Sequence, residues 1–424
     1  MRISIIHTRE ICYYSGEFFL RRMEEALESI GCEVEYLELS HDDVDYDCLE
    51  DLLPEKEERS RYDAILDINS KLPYLTLEDG SPFLDRLNAP FYNWIVDHPL
   101  YHHPGLSFPL KNYHVLAIDQ CHMSYMKANY PWLRSVDYLP IPGTAAFLSE
   151  DGERSRDNMT GEKVPGILVP ATYLSKEECM EEWKRVIEKI RVKEDALGES
   201  GRLVRSFEDL INDLYQAWDP LQQPLEDLLF DYLVSRGEVA EEYAADSFAE
   251  LMNFLYPLDR RVRYEMRYRY VRAAAQTGYP IRLLGEGWEE TDLVRLTNVE
   301  HIAPVPISMT YDLIADSEAI LDINPLFYKG VHDRVPSAMA NGVPVFTNMN
   351  QRANLTMNRR NGVFYYHTED ELKDRMKEWQ ELSEHNPQEL IEMRWNAYSR
   401  WKADLSWDAA ASRFLCLVRD NAWK

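Results

Sequence analysis

Cysteine is sparse and unpatterned. The six thiols, at positions 12, 32, 48, 121, 179 and 416, form no CxxC pair and keep no regular spacing. A disulfide framework or a zinc knuckle needs paired thiols, so the pattern reads as free cysteines in a reducing cytoplasm. Long apolar runs are missing as well: no stretch approaches the roughly 18 residues that a membrane-spanning helix requires. The apolar patch in the opening MRISIIHTRE is too short for a secretory leader. Positive charge is scarce, with 46 Lys and Arg against 74 Asp and Glu, a formal charge of −28. Such a surface repels a phosphate backbone, which argues against nucleic acid as a partner, yet a local cluster of donors can still hold a small anion. No internal repeat or low-complexity tract is found.

What is present suffices for more than one core. Hydrophobic residues make up 45% and aromatics 12% of 424 residues, and a chain of this length is read as two or three domains. RISIIH (2–7) fits a buried strand. The following segment places Phe18, Phe19, Met23, Leu27 and Ile30 near helical spacing, with Gly31 as a stop, and EVEYLEL (33–39) then alternates as a strand does. Strand, helix and strand at this spacing start a parallel sheet. YDAILDIN (62–69), PFYNWIVDHP (90–99), YHVLAIDQ (113–120) and SVDYLPIPG (135–143) continue the pattern, giving one α/β domain over 1–150.

Residues 151–165 are polar and read as a linker. A second α/β domain is expected over 166–368, opening with GILVPATY (166–173) and resuming with IRLLGEGW (281–288), NVEHIAP (298–304), AILDINP (319–325) and VPVFTN (343–348). Within it, about 176–277 is rich in Glu, Leu, Arg and Tyr at helical period and reads as a helical insertion; 369–424 reads as C-terminal helices. In open parallel sheets ligands sit beyond the carboxyl ends of the strands, so residues just after strands carry the candidate chemistry.

One such stretch is GVHDRVPSAMANGVPVFTN (330–348). Asp333 or a neighbour would cap a short helix, Pro336 falls in its first turn, and Asn341-Gly342 would end it. Unpaired N–H groups at such a helix start suit a phosphate. Arg334 adds a planar fork for phosphate oxygens, with Lys329, Gly330 and His332 on the preceding loop. The competing reading is that Arg334 pairs with Asp333 or Asp322 and only holds the loop.

LLGEGW followed by AILDINPLFYKGVHDRVPSAMANGVPVFTN resembles the donor-binding half of bacterial GT-B glycosyltransferases, nearest to the spore-maturation-type (CgeB-like) group, where G-x-HDR-x precedes x-AMA-x-G. NWIVDHPLYHHP, HVLAIDQCHMSYMKANYP and YLPIPG resemble the N-terminal half of the same group. The resemblance covers most of the chain outside 176–258. It implies an α/β GT-B fold class: two facing Rossmann-like domains, the C-terminal one carrying the helical insertion and holding a nucleotide-diphosphate sugar. It also implies no metal or other cofactor, and an acceptor that is a glycan, a protein or a small molecule. The sequence departs from the broader retaining GT-B enzymes at Ser337, where they often carry a Glu that holds the nucleotide ribose; a serine hydroxyl would hold it more weakly.

Within that frame, Asp97 and His98 end a strand and are catalytic candidates, able to take a proton from an acceptor hydroxyl or to orient a sugar; a loop-stabilising pair before Pro99 is the alternative. Thr8, Ser15 and Gly16 follow the first strand and form a candidate acceptor-side loop. Gly285 and Gly287 would let backbone approach a nucleotide, or would simply make a turn, and Tyr173 offers a ring to the donor. His98, His102 and His103 are spaced for a metal, but Pro99 and Pro104 disfavour the helix that would align them and no third ligand is evident. DRRVRYEMRYRYVR (259–272) reads as an ion-paired helix face, and the DxD inside DDVDYD (42–47) as an acidic surface loop. Two rival functions remain: a non-catalytic nucleotide-sugar- or protein-binding module on the same fold, and a sugar-nucleotide epimerase.

Overall fold

The computed structural model describes residues 1–8, 15–39, 52–53, 62–146, 159, 161, 163–197, 201–237, 245–349 and 356–421. The DxD run at 42–47 and ten of the fifteen residues of the polar 151–165 segment lie outside the described residues, and the last two of that segment already belong to a strand.

The first sheet contains β1 (Arg2–Thr8), β2 (Glu33–Leu39), β3 (Ala64–Ile68), β4 (Phe91–Ile95), β5 (Tyr113–Ala117) and β6 (Ser135–Tyr138), in the order β2-β1-β3-β4-β5-β6. Every neighbouring pair is parallel. Inner strands such as β3 and β4 are buried along their whole length, as a parallel sheet covered on both faces demands. β2 is an edge strand, and its polar residues Glu33 and Glu38 reach solvent. The strand order reverses at β1 and β3, where a doubly wound sheet opens a crevice at its carboxyl end.

The second sheet contains β7 (Val164–Pro170), β8 (Ile281–Leu284), β9 (Val299–Ile302), β10 (Ser317–Asp322), β11 (Val345–Asn348) and β12 (Val363–Tyr366), in the order β12-β11-β10-β7-β8-β9. It too is parallel throughout, and its switch point falls at β7 and β10. The sequence gives no strong warning of β12, whose VFYY is only four residues long and runs almost at once into a helix. Between β7 and β8 the crossover expands into the helices Lys176–Leu197, Arg202–Ala217, Leu225–Ser235, Ala245–Phe254 and Tyr256–Ala275.

The chain forms two compact units. One comprises Met1–Thr144, Lys329–Ala340 and Ser399–Lys424; the other comprises Ala145–Tyr328 and Asn341–Tyr398. This differs from the sequence expectation, which left 329–340 in the second domain and 369–424 as a separate tail. Side-chain docking explains the difference. Trp401 Nε1–H donates to the Gly143 carbonyl at 2.9 Å, and Trp407 Nε1–H to Thr144 Oγ1 at 3.2 Å. The Trp407 ring lies 5.9 Å from Phe19 and 6.3 Å from Trp94, while Phe414 meets Tyr92 edge-on at 5.3 Å. Helical period announces these helices, but not the sheet they cover.

Candidate functional site

At the switch point of the first sheet, Asp67 of β3 is fully buried and binds the end of β1. Its Oδ2 accepts the Thr8 hydroxyl at 2.7 Å and the Thr8 N–H at 3.3 Å, and the Thr8 oxygen in turn accepts the Lys71 N–H at 3.0 Å. Thr8 therefore joins two strand ends. Ser15 and Gly16 open the helix Ser15–Ser29 that follows β1, with Ser15 half-buried and Gly16 buried.

Asn69, just past β3, sits at φ 44°, a left-handed conformation that asparagine tolerates better than most residues. That turn aims its amide at the end of β4: Nδ2–H donates to Asp97 Oδ2 at 3.0 Å, and Oδ1 accepts the Val96 N–H at 3.1 Å. The Asp97 side chain keeps 36% of its surface exposed, and His102 Nε2 stands 3.8 Å from it. His98 is different. It is 3% exposed, its Nδ1 accepts the Leu100 N–H at 3.1 Å to cap a short turn, and its ring meets His122 at 4.6 Å. Sequence treats the two neighbours alike, but the structure makes Asp97 the accessible group and His98 a buried support. Among the described residues, no group of three or more His, Cys, Asp or Glu is arranged to hold a metal ion.

The Lys329–Ala340 segment is attached to the same unit through Asp119, which is also fully buried. Asp119 Oδ1 caps the helix Gln120–Asn129 by accepting the N–H groups of Cys121 (2.6 Å) and His122 (3.4 Å), while Oδ2 accepts the Lys329 N–H at 2.7 Å. Gly330 forms an isolated bridge with Asp119, and a Cβ there would overlap the Ile118 carbonyl. Next comes His332, which touches both of its polar neighbours: its Nδ1 is 2.5 Å from Asp333 Oδ1, and its Nε2 is 3.3 Å from Arg334 Nη2.

The helix itself alters the anion argument. It spans only Arg334–Ala340; the Val335 N–H goes to the His332 carbonyl and the Ser337 N–H to that of Asp333, while Pro336 has no N–H. Few backbone donors remain, so attraction for an anion rests on the side chains. Ser337, the group expected at a ribose, is fully buried and its hydroxyl accepts the Thr144 N–H at 3.0 Å. Gly143 is packed so closely that a Cβ would overlap the Pro336 carbonyl.

The second unit carries the remaining candidates beyond β7 and β8. Gly285 and Gly287 have φ of 136° and 82°, and a Cβ on Gly285 would lie 2.7 Å from the Ala171 carbonyl oxygen. One on Gly287 would overlap the Tyr173 carbonyl. Both glycines thus admit the 171–173 backbone, which is secured by the Tyr173 N–H to the Glu286 carbonyl (2.9 Å) and by Trp288 Nε1–H to the Ala171 carbonyl (2.5 Å). Tyr173 stacks on the Trp288 ring at 5.2 Å. The basic stretch is largely ion-paired: Arg260 with Glu182, Arg261 with Glu265 at 3.0 Å, Arg263 with Asp259 at 2.6 Å and Arg269 with Glu369 at 2.5 Å.

Sequence reasoning passed over Asp67, Asn69 and Asp119. Asn69 follows a strand just as Asp97 does, and Asp119 stands between a strand and a helix where an N-cap is expected; both signals were available.

Comparison with known proteins finds one family model similar to part of the chain and solved structures similar in fold. The family described as "Glycosyl transferase-like" matches residues 261–415, a span that includes the Lys329–Ala340 segment. No curated protein sequence matches the chain. Among solved structures, the chain is similar to AviGT4, a glycosyltransferase involved in avilamycin A biosynthesis (13% identity, covering 100% of this chain and 99% of that one, TM-score 0.50). It is similar also to a glycosyltransferase from Rickettsia africae (10% identity, 99% of each chain, TM-score 0.50). A third is sucrose-phosphate synthase from Thermosynechococcus elongatus (11% identity, 99% of this chain and 98% of that one, TM-score 0.52). Identities this low speak to the fold alone: two parallel six-stranded sheets with flanking helices, the GT-B arrangement.

Proposed function

We propose that this chain is a glycosyltransferase that moves a sugar from a nucleotide-diphosphate sugar to an acceptor without a metal or other cofactor, in the spore-maturation-type group of GT-B enzymes. The observation that carries the reading is the Asp333–His332–Arg334 series inside the segment matched by the glycosyl transferase-like family. The chemical demand in such a transfer is to stabilise the departing nucleotide diphosphate, and a guanidinium fixed in place does so without reorganising. Arg334 takes that role, assisted by Lys329 and oriented by His332. Asp97, held by Asn69, takes the proton from the acceptor hydroxyl. The acceptor is a glycan, a protein or a small molecule. Among the described residues no helix is long and apolar enough to cross a membrane.

A second reading, a binding module without turnover, is favoured by Ser337, a fully buried serine that stands where related enzymes often carry a carboxylate. Phosphorus NMR of the protein with UDP-, GDP- and dTDP-sugars, with and without mixed glycan acceptors, separates the two. Release of a free nucleoside diphosphate supports transfer, whereas line broadening of a donor that is never consumed supports the module.

A further inference from the structure

We propose that the helical insertion carries a carbohydrate-binding site, separate from the strand ends where donor chemistry is placed. A cavity of about 510 Å³ lies wholly within the second unit, in the size range of small-molecule sites. It is bounded by the end of the helix Arg202–Ala217, the turn that follows it, one face of the helix Tyr256–Ala275, and the start of the helix Glu369–His385. Val262, Glu265, Met266 and Arg269 recur at helical spacing on that face. The β7–β10 switch point supplies none of the lining.

The lining has two characters. Trp218, Met266 and Tyr270 are buried and apolar or aromatic, while Asp219, Gln222 and Arg269 are exposed and polar. Three carboxylates face the cavity, and each has a partner within the fold. Glu265 is held by Arg261 at 3.0 Å and by the Tyr215 hydroxyl, which lies 3.0 Å from both its oxygens. Glu369 pairs with Arg269, and Asp219 accepts the Leu221 N–H at 3.0 Å and Gln222 Nε2–H at 2.9 Å.

Carboxylates already compensated in this way do not call for a cation, and three of them oppose a phosphate. An ionised carboxylate offers about four acceptor sites, so each retains capacity for hydroxyl donors, and the amide and guanidinium add donors. A ligand that suits donors and acceptors set beside apolar and aromatic lining side chains is neutral, rich in hydroxyls along its edges, and apolar on its C–H faces. Those are the properties of a hexose unit.

The test is saturation-transfer difference NMR on the full chain, with glucose, galactose, N-acetylglucosamine, maltose, lactose and chitobiose as probes. Gln222→Trp fills the cavity mouth from an exposed position, and Asp219→Ala removes a polar wall; circular dichroism and thermal melting check that both fold. The expected result is saturation of at least one probe, reduced tenfold or more in both variants and retained in Arg334→Ala. Absence of saturation with every probe overturns the proposal. So does a signal that survives Gln222→Trp or disappears in Arg334→Ala, because the sugar then sits elsewhere, and so does saturation of tetramethylammonium in place of sugars. Sugar-nucleotide turnover is measured without free sugar, so failure here leaves the transfer reading standing.

Discussion

Asp119 Oδ2 and the backbone N–H of Lys329 meet at 2.7 Å although 210 positions separate the two residues. With its other oxygen capping a helix, this one buried carboxylate fixes both a local turn and the entrance to the Lys329–Ala340 segment. Asp119→Ala leaves buried N–H donors without acceptors, at a cost of about 2–4 kcal/mol. Urea denaturation should show that loss, with Asp119→Asn intermediate; stability equal to wild type would remove the anchoring role.

Arg334→Ala should lower kcat/KM for the sugar nucleotide by about ten- to a hundredfold or more, since a charged hydrogen bond is worth about 1.5–3 kcal/mol. Arg334→Lys keeps the charge and loses the fork, so it should recover only part of the rate. Unchanged kinetics with a confirmed donor would reassign the diphosphate to other residues.

Asn69→Gly isolates a side chain from its backbone. Glycine accepts the left-handed conformation at φ 44° without backbone strain; the Val96 N–H loses its acceptor, at a cost of about 1–3 kcal/mol, and Asp97 loses its amide partner. Turnover should fall in the same direction as for Asp97→Asn, with donor KM little changed. If Asp97→Asn is fully active, the proton is taken by another group.

Gly287→Ala should destabilise the protein by about 2 kcal/mol or more through overpacking and strain, because a Cβ at φ 82° would overlap the Tyr173 carbonyl. Differential scanning calorimetry reads this as a lower Tm. A neutral result would mean that the 171–173 backbone yields easily, contrary to its hydrogen bonds.

Burial pushes the Cys179 thiol up to about 11, from a usual 9.0, whereas Cys416 is exposed. Thiol reagents near neutral pH should label Cys416 in the native protein and reach Cys179 only on unfolding. The folded state holds the Cys179 proton more tightly than the unfolded one. Its contribution to stability is therefore complete below the unfolded value and declines as pH rises from there through the folded value.

Strand-forming segments were legible because parallel strands are apolar on both faces and end in polar residues; RISIIH and FYNWI announce themselves. The helical crossover was legible for the same kind of reason, its period being 3.6 over many turns. What periodicity could not carry was partnership across long separations. Nothing in KGVHDR says that its first N–H belongs to Asp119, and nothing in the tryptophan-rich tail names Gly143 or Thr144 as acceptors. The Asp97-His98 dipeptide was legible as a post-strand pair, but which member is accessible depends on Asn69 and on a turn that buries one ring.

The first unit joins Met1–Thr144 to Lys329–Ala340 and Ser399–Lys424, segments far apart in the chain. On a ribosome adding about 5–20 residues each second, the nascent first sheet must wait many seconds for the tryptophans that cover it. Until then Tyr92 and Trp94 lack the Phe414 and Trp407 rings that pack against them, while the second unit has already received most of its residues. Cutting the chain at residue 144 would make the wait permanent, so an excised N-terminal fragment should remain a chaperone client and never mature into an independent domain.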